Sequence, residues 1–395
     1  MINTVRYFYI LLIMAGFLLV PVAAHAASQT EVGVWIPWWS EELGAKSALK
    51  NIRDIDVVYP FVFEVSPNGD LINRVDFSDR HCDKLLDKAE SRRVSVIPTV
   101  AWFEGDEIHT VLSNTKARKE HIKNIVEMVE DNDFDGVNID YESKLGETID
   151  YYSKFLEELS KALGRRDLTC TIEARTPPAS RWKVVPDNIQ YANDYKAMNR
   201  YCDWVEIMAY DQQRADLKLN DERRGVPYMP VADIDWVDKV VDLAVQDIDE
   251  DKIMLGVATY GRAWDVTVAA DWYKDYTKVA TLNQPRILEL VDEYDLQIGR
   301  TAGGEAVITY FPETSPWKIF NALPTPKGTP KGYEAAAKAL LVATYADIEI
   351  PVRFLTWSDS DAIEQKIELV EDYDLRGVAV FKVDGEEDPK IWKLF

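Results

Sequence analysis

Cysteine and histidine are scarce in this chain of 395 residues, which has three of the former and four of the latter. They are Cys82, Cys170, Cys202, His25, His81, His109 and His121. No CxxC pair occurs and the histidines are scattered, which argues against a zinc site, a disulfide framework or a Ser-His-Asp triad. Cys170 and Cys202 lie in apolar, strand-like runs, so we expect buried thiols there, with a single disulfide left open.

Positive charge is also in short supply. The chain has 45 Lys and Arg against 68 Asp and Glu, a formal net charge of -23. Such a surface repels nucleic-acid phosphates and anionic lipid, and we expect neither as a partner. No GxxxxGK[ST] phosphate-binding segment occurs either. A neutral or cationic ligand is compatible with this charge, and the oligomeric state is left open.

Long apolar runs are limited to one, over residues 9–22, with Arg6 before it and Ala24-His25-Ala26 after it. This run is shorter than the roughly 20 residues that span a bilayer. The pattern predicts a cleaved secretory signal peptide over residues 1–26, the alternative being a retained N-terminal anchor. We therefore expect a secreted protein (extracellular, periplasmic or associated with the cell wall) that is not held in a membrane after cleavage.

The remaining chain alternates short β-rich apolar segments with charged, helical ones. Eight segments are predicted to be strands: residues 32–36, 57–61, 94–100, 136–140, 168–172, 204–208, 253–258 and 377–381. Strands that alternate with amphipathic helices are typical of parallel sheets. The sequence therefore predicts an α/β fold, a (β/α)8 TIM barrel over residues 27–395.

One interval, residues 265–357, is too long for a single connection between a strand and a helix. It contains its own helix candidates, residues 284–293 and 332–346, and extended segments at residues 306–311 and 353–357. We predict a small α+β subdomain inserted after the seventh strand. Strand-to-helix loops build the active-site rim of a barrel, so this subdomain should stand beside the site.

The stretch Phe134-Asp135-Gly136-Val137-Asn138-Ile139-Asp140-Tyr141-Glu142 carries the chemistry. Side chains alternate across a strand, so Asn138, Asp140 and Glu142 share one face, which should point into the barrel or its mouth. Crowded carboxylates inside a fold are costly, and their pKa values separate, so that one is protonated while the other is ionised. Glu142, the longest and nearest the strand end, is the predicted proton donor.

This stretch resembles the DGxDxDxE signature of glycoside hydrolase family 18, and the similarity extends over residues 31–395. Met208-Ala209-Tyr210-Asp211 resembles the family's Met-x-Tyr-Asp segment, and residues 255–261 resemble its seventh strand. Residues 377–381, followed by Glu387-Asp388-Pro389 and Ile391-Trp392, are similar to its bacterial spore-germination and cell-wall branch.

The resemblance implies substrate-assisted, retaining hydrolysis of β-1,4 bonds in N-acetylglucosamine-containing polysaccharide, with no metal or organic cofactor. Glu142 would protonate the glycosidic oxygen, and Asp140 would orient the acetamido group whose carbonyl attacks the anomeric carbon. Tyr210 would bind the acetamido oxygen and Asp211 would hold the sugar. Met208 and Tyr260, which lie in the similar segments, are further candidates for substrate binding.

Two positions depart from the family pattern. Asn138 stands where the signature has its first inner Asp, so the charge balance around Asp140 is expected to differ, although the Asn138 amide could still orient Asp140. Phe381 stands where many members place a Trp beneath the cleaved sugar, which predicts less stacking area. These departures keep open an alternative, a catalytically silent, chitinase-like sugar-binding protein.

Aromatic side chains follow several predicted strands. Trp38 and Trp39 follow the first strand, Trp102 and Phe103 the third, and Trp264 the seventh. Flat rings at the rim stack on sugar faces, so we predict that they line a groove. Glu173, Arg175 and Gln212 also follow predicted strands and are further candidates for the rim. Ordinary pairing with surface groups explains each of them equally well. Chitin, peptidoglycan and N-glycan substrates, and exo or endo action, are left open.

Overall fold

The computed structural model describes residues 30–395, so the signal peptide predicted at residues 1–26 lies outside the described part. The strands are β1 (Glu31–Pro37), β2 (Val57–Val65), β3 (Leu71–Asn73), β4 (Ser95–Val96), β5 (Thr99–Trp102), β6 (Gly136–Tyr141), β7 (Asp167–Glu173), β8 (Trp204–Met208), β9 (Ile253–Ala258), β10 (Tyr260–Val268), β11 (Tyr273–Asn283), β12 (Gly299–Arg300), β13 (Ala306–Tyr310), β14 (Ile350–Trp357) and β15 (Gly377–Phe381). The helices are α1 (Glu41–Lys50), α2 (Arg80–Arg92), α3 (Gly105–Ser113), α4 (Thr115–Asp131), α5 (Ile149–Leu163), α6 (Pro178–Arg181), α7 (Tyr195–Tyr201), α8 (Leu217–Glu222), α9 (Ile234–Ala244), α10 (Gln284–Glu293), α11 (Glu334–Ala346) and α12 (Ser360–Asp372).

A closed parallel barrel is the main body of the molecule. β1 pairs with both β2 and β15, and the other neighbours run in order through β5, β6, β7, β8 and β9 to β15. The third barrel strand is split into β4 and β5 on either side of Pro98, which has no amide N–H to give to a ladder. All eight predicted barrel strands are present, and the predicted TIM barrel is confirmed.

The two faces of the barrel strands are buried in different surroundings. On β6, Val137, Ile139 and Tyr141 belong to the large apolar cluster between strands and helices. Asn138 and Asp140, on the other face, are equally buried but point into the barrel. That interior also contains a smaller cluster of large side chains, among them Trp35, Tyr59 and Trp204. The alternation predicted from the sequence therefore sets the direction of the signature carboxylates.

A second sheet of five antiparallel strands, in the order β11-β10-β14-β13-β12, follows the seventh barrel strand. α11 packs through its alanines on one face of this sheet, and Ile287 and Leu290 of α10 pack on the other. The sheet begins at Tyr260, directly after β9, and not at the predicted residue 265. Tyr260 is therefore a residue of the inserted subdomain.

Cys170 and Cys202 are buried as expected, but they are not thiols: they form the one disulfide that the sequence left open, with their Cα atoms 6.1 Å apart. Cys170 lies in β7 and Cys202 lies just before the neighbouring β8, an adjacency that the 32-residue separation does not reveal. Cys82 is free, and its thiol donates to Glu41 Oε1 at 3.0 Å.

Within residues 30–395, no helix has both the length and the apolar composition to cross a bilayer.

Candidate active site

A cavity of about 800 Å³ opens where the barrel strands end at their carboxyl termini. β6 contributes Asp140 to it, and Glu142 follows directly. β8 and the residues after it supply Met208, Tyr210 and Asp211. Other predicted site residues that line the cavity are Trp38, Trp39, Tyr260 and Phe381. The structure therefore brings together nine of the eleven predicted site residues, and the exceptions are Asn138 and Trp102.

The signature carboxylates form the chemical centre of this cavity. Burial, together with the charges of Glu173 and Asp211, raises the pKa of Glu142 to about 7. Burial and the neighbouring Glu142 hold the pKa of Asp140 well above its ordinary range. Oδ1 of Asp140 is buried and has no hydrogen-bond partner among the described residues. Since two such groups cannot both ionise cheaply, the pair retains at least one proton near neutral pH.

Lys144 is a buried cation close to this pair. Its side chain is fully buried, its Nζ donates to the backbone oxygen of Tyr141, and it lies 3.8 Å from Glu173 Oε2. The charge of Lys144 lowers the pKa values of both Asp140 and Glu142, which opposes the effect of burial. Glu173 in turn accepts the backbone N–H of Ser143 at 3.0 Å, which fixes the chain directly after Glu142.

Asp211 is held by the inserted subdomain. Arg262 donates from Nε to Asp211 Oδ1 at 2.8 Å, and the hydroxyl of Tyr260 donates to Oδ2 at 3.0 Å. Asp211 itself has a positive φ of 55°, a conformation that Asp and Asn tolerate better than most residues. Sequence reasoning identified Asp211 and Tyr260 but missed Arg262 and Lys144. Arg262 could have been found only by knowing that β10 follows β9 immediately.

Aromatic rings form the floor and one wall. Phe381 is stacked on Tyr210, with ring centroids 5.7 Å apart and planes 15° from parallel. Trp38 and Trp39 are 38% and 48% exposed, and Trp39 meets Phe61 edge to face. These exposed rings at the rim agree with the predicted groove, while Phe61 was not anticipated because it lies within a predicted strand.

The structure does not place Trp102 in the groove. Trp102 is 2% exposed and packs edge to face against Tyr141 on the helix side of the barrel. It lies on the same face of β5 as Val100, so strand alternation directs it away from the cavity, and the next residue, Phe103, lines the cavity instead. Trp264 is likewise buried, in the core of the subdomain.

Asn138 also lies outside the cavity, and its amide is not hydrogen-bonded to Asp140. Its Nδ2 donates to Thr169 Oγ1 at 2.7 Å and to Glu206 Oε2 at 3.0 Å. Its Oδ1 accepts from the hydroxyls of Thr99 and Thr171. The expectation that Asn138 binds substrate or orients Asp140 by a hydrogen bond is therefore corrected, because neighbouring strands satisfy the amide deep in the barrel.

Of the three rim candidates, Glu173 lines the cavity, whereas Arg175 and Gln212 do not. The Arg175 guanidinium lies over the ring of Tyr191, and Gln212 is buried and donates to the hydroxyl of Tyr228. Across residues 30–395, no group of three or more His, Cys, Asp or Glu side chains is arranged to hold a metal.

A carboxyl whose pKa is raised to about 7, a second buried carboxyl beside it and an aromatic cleft are suited to acid-catalysed cleavage of a glycosidic bond. Barrel and site together define a glycosidase of the (β/α)8 class. Residues 47–386 match the model of the glycosyl hydrolases family 18, and the chain belongs to this family.

Individual relatives agree with this assignment. The chain is 22% identical over 340 residues to a cortical fragment-lytic enzyme of Bacillus subtilis, covering 85% of this chain and 65% of the relative. Its fold is similar to that of a chitinase from Chromobacterium violaceum, with a TM-score of 0.68 and 18% identity over 93% and 98% of the two chains. It is also similar to the spore cortex-lytic enzyme SleL of Bacillus cereus, with a TM-score of 0.66 and 19% identity over 92% and 73%. The chain spans about half the length of the curated relatives it matches, from 35% to 65%.

Proposed function

We propose that this protein is a secreted, retaining hydrolase of β-1,4 bonds in N-acetylglucosamine-containing polysaccharide, with Glu142 as the general acid. One observation carries the proposal: Asp140 presents a buried, unpartnered Oδ1 in a sugar-sized cavity that Glu142 shares. A buried acceptor without a partner is costly in the free protein. A substrate N–H group placed there would satisfy it.

The proposed reaction begins with the neutral form of Glu142, whose proton passes to the glycosidic oxygen as the bond to the anomeric carbon breaks. The carbonyl oxygen of the substrate's own 2-acetamido group forms the new bond to that carbon, giving an oxazolinium ion. Asp140 accepts the acetamido N–H and stabilises the positive charge. Water then attacks the anomeric carbon from the side the leaving group vacated, gives its proton to Glu142, and restores the acetamido group with retention.

The surrounding side chains have roles consistent with this scheme. Burial raises the pKa of Tyr210 well above its ordinary value, so its hydroxyl stays protonated and can donate to the acetamido oxygen. Phe381, stacked on Tyr210, offers an apolar surface for a sugar ring. Asp211, immobilised by Arg262, provides a fixed acceptor for sugar hydroxyls.

The names of the relatives support two substrates within this class. Chitinase points to chitin, and the cortex-lytic names point to the glycan of a bacterial cell wall. Secretion, proposed from the N-terminal sequence, would bring the protein to either polymer.

The test is product formation from N-acetylglucosamine oligomers and from purified peptidoglycan, followed by mass spectrometry. Glu142→Gln should lower kcat by at least about 1,000-fold while leaving oligosaccharide binding in place. Glu147→Gln, an exposed glutamate outside the cavity, is the matched control and should retain full activity. Equal turnover by wild type and Glu142→Gln would contradict the proposal. Binding without any product from the wild type would favour the alternative, a silent sugar-binding protein.

A further inference from the structure

Glu206 is a carboxylic acid in the centre of the barrel that the mechanism above does not use. It lies on β8, is 0% exposed, and its Oε2 accepts a hydrogen bond from Asn138 Nδ2 at 3.0 Å. Its other oxygen, Oε1, is buried and has no hydrogen-bond partner within residues 30–395. No Lys, Arg or His in that range forms an ion pair with it. Fold stability alone does not favour such a group, because burying an unpaired carboxylate is costly.

The groups around Glu206 come from several strands. Tyr59 of β2 and Trp204 of β8 lie beside it and are joined by a 2.9 Å hydrogen bond, and Thr169 of β7 accepts from the same Asn138 amide. Tyr59 and Asp140 are the titratable groups that its charge affects. The cation of Arg376 acts on Tyr59 and lies 4.2 Å from the ring of Trp204.

Asn138 holds this acid on the interior face of the barrel, next to the strand that carries Asp140. Asn138 and Asp140 share one face of β6, and residues two apart on a strand are roughly 6.6 Å apart at Cα. Glu206 and Asp140 are both buried, so a charge on Glu206 is weakly screened at Asp140. The family signature has an Asp, with its negative charge, at the position where this chain has Asn138. Here the carboxylate belongs to Glu206, which accepts a hydrogen bond from Asn138.

We propose that Glu206, held in place by Asn138, is a positioning residue for the catalytic pair and supplies from β8 the negative charge that position 138 lacks. The inference depends on the proposed function of Asp140 and Glu142. The proposed role of Glu206 has a specific consequence for the pH dependence of the activity. Burial raises the pKa of Glu206 to about 7, so its charge appears as pH rises through neutrality. That charge raises the pKa of Asp140, which keeps a proton on the Asp140–Glu142 pair in more alkaline solution.

The test is a double-mutant cycle on the pH profile of kcat. Glu206→Gln should move the alkaline limb to lower pH by roughly half to one unit and lower kcat above pH 7, with little change in KM. Glu206→Gln combined with Asn138→Asp returns the charge to β6, and the alkaline limb should move back towards that of the wild type. The burial-matched control is Glu305→Gln, a fully buried acid bound to the backbone amides of Val231 and Ala232, which should not move the limb.

Two outcomes of the mutant cycle would overturn the proposal: an alkaline limb that does not move in folded Glu206→Gln, or a double variant with the same profile as the single one. Thermal melts by circular dichroism identify variants that have lost the fold. A second readout does not depend on turnover. The side-chain carboxyl of Asp140, followed by ¹³C NMR, should titrate at lower pH in Glu206→Gln than in the wild type. A wild type without hydrolytic activity would reject the proposed function, whereas an unchanged Asp140 titration would reject the role of Glu206.

Discussion

Arg262 and Asp211 join the inserted subdomain to the barrel by two hydrogen bonds between the same two side chains. Nε donates to Oδ1 at 2.8 Å and Nη2 donates to Oδ2 at 2.5 Å. The Arg262 side chain is 14% exposed and that of Asp211 is 35% exposed, so the pair is partly shielded from water. A guanidinium holds both oxygens of a carboxylate at once, so the subdomain fixes the orientation of Asp211 as well as its position.

Replacing Arg262 by Lys should therefore lower kcat/KM even though the charge is kept. An ammonium group is a point donor and cannot bind both oxygens in a fixed plane. Loss of one charge-assisted bond in a partly shielded pair is expected to lower kcat/KM on the order of 10-fold. Steady-state kinetics on a chitooligosaccharide measure this fall in kcat/KM. Arg286→Lys, which alters an exposed pair with Glu289, is the control and should behave as wild type. An unchanged kcat/KM in Arg262→Lys would mean that Asp211 needs no such restraint.

Much of this architecture could be predicted from the sequence because alternation and segment order are local signals. The eight barrel strands, the inward face of β6 and the pairing of Asp140 with Glu142 all follow from residues that are close in the chain. Trp102 was misplaced because β5 continues two residues beyond the predicted end at residue 100, so Trp102 is a strand residue that faces the helices and the next residue, Phe103, lines the cavity. In such cases a single residue of register decides the outcome.

The contacts that could not be predicted are those between distant segments. Arg262 reaches Asp211 across 51 positions, Glu206 reaches Asn138 across 68, and Cys170 meets Cys202 across 32. No periodicity or motif encodes these contacts, since they depend on which strands become neighbours and on what each interior layer contains. The buried Lys144 is different: it is near in sequence, but nothing in its local pattern separates it from a solvated lysine.

Removing Lys144 should move the alkaline limb of activity to higher pH. The general acid must be protonated, so activity falls as pH rises through the pKa of Glu142, about 7. Lys144 lowers that pKa by its positive charge, so Lys144→Met should raise it and extend activity towards alkaline pH. The same change leaves buried carboxylates without their cation and should lower the free energy of unfolding by about 3 kcal/mol.

The measurements are the pH profile of kcat/KM and urea unfolding monitored by tryptophan fluorescence. Lys154→Met serves as the control, since Lys154 is 48% exposed and forms only surface pairs with Glu157 and Glu158. An alkaline limb that did not move in Lys144→Met would show that the charge of Lys144 is not felt at Glu142.

The thiol content of the protein should distinguish the observed disulfide from three free cysteines. Denatured but unreduced protein should give one titratable thiol per chain, from Cys82, and three after reduction. A loop of 32 residues is closed by Cys170 and Cys202, so replacing both by Ala should lower the free energy of unfolding by roughly 3 to 4 kcal/mol. Cys82→Ala is the companion variant and should remove the thiol signal without touching the bridge. Three thiols in the unreduced sample would contradict the pairing.

Replacing Phe381 by Trp should tighten sugar binding. Phe381 lies parallel to Tyr210 on the floor of a cavity of about 800 Å³, so a larger ring can extend over open space instead of into packed side chains. An indole adds on the order of 40 Å² of apolar surface, worth about 1 kcal/mol at the usual coefficient, or roughly five-fold in Kd. Calorimetry in the Glu142→Gln background separates binding from turnover, and Tyr345→Trp, on an exposed face of α11, controls for the added indole. Weaker binding by Phe381→Trp would contradict this expectation. It would mean that the indole is pressed against Tyr210 and Trp35, and that the phenyl ring of Phe381 already fits the sugar.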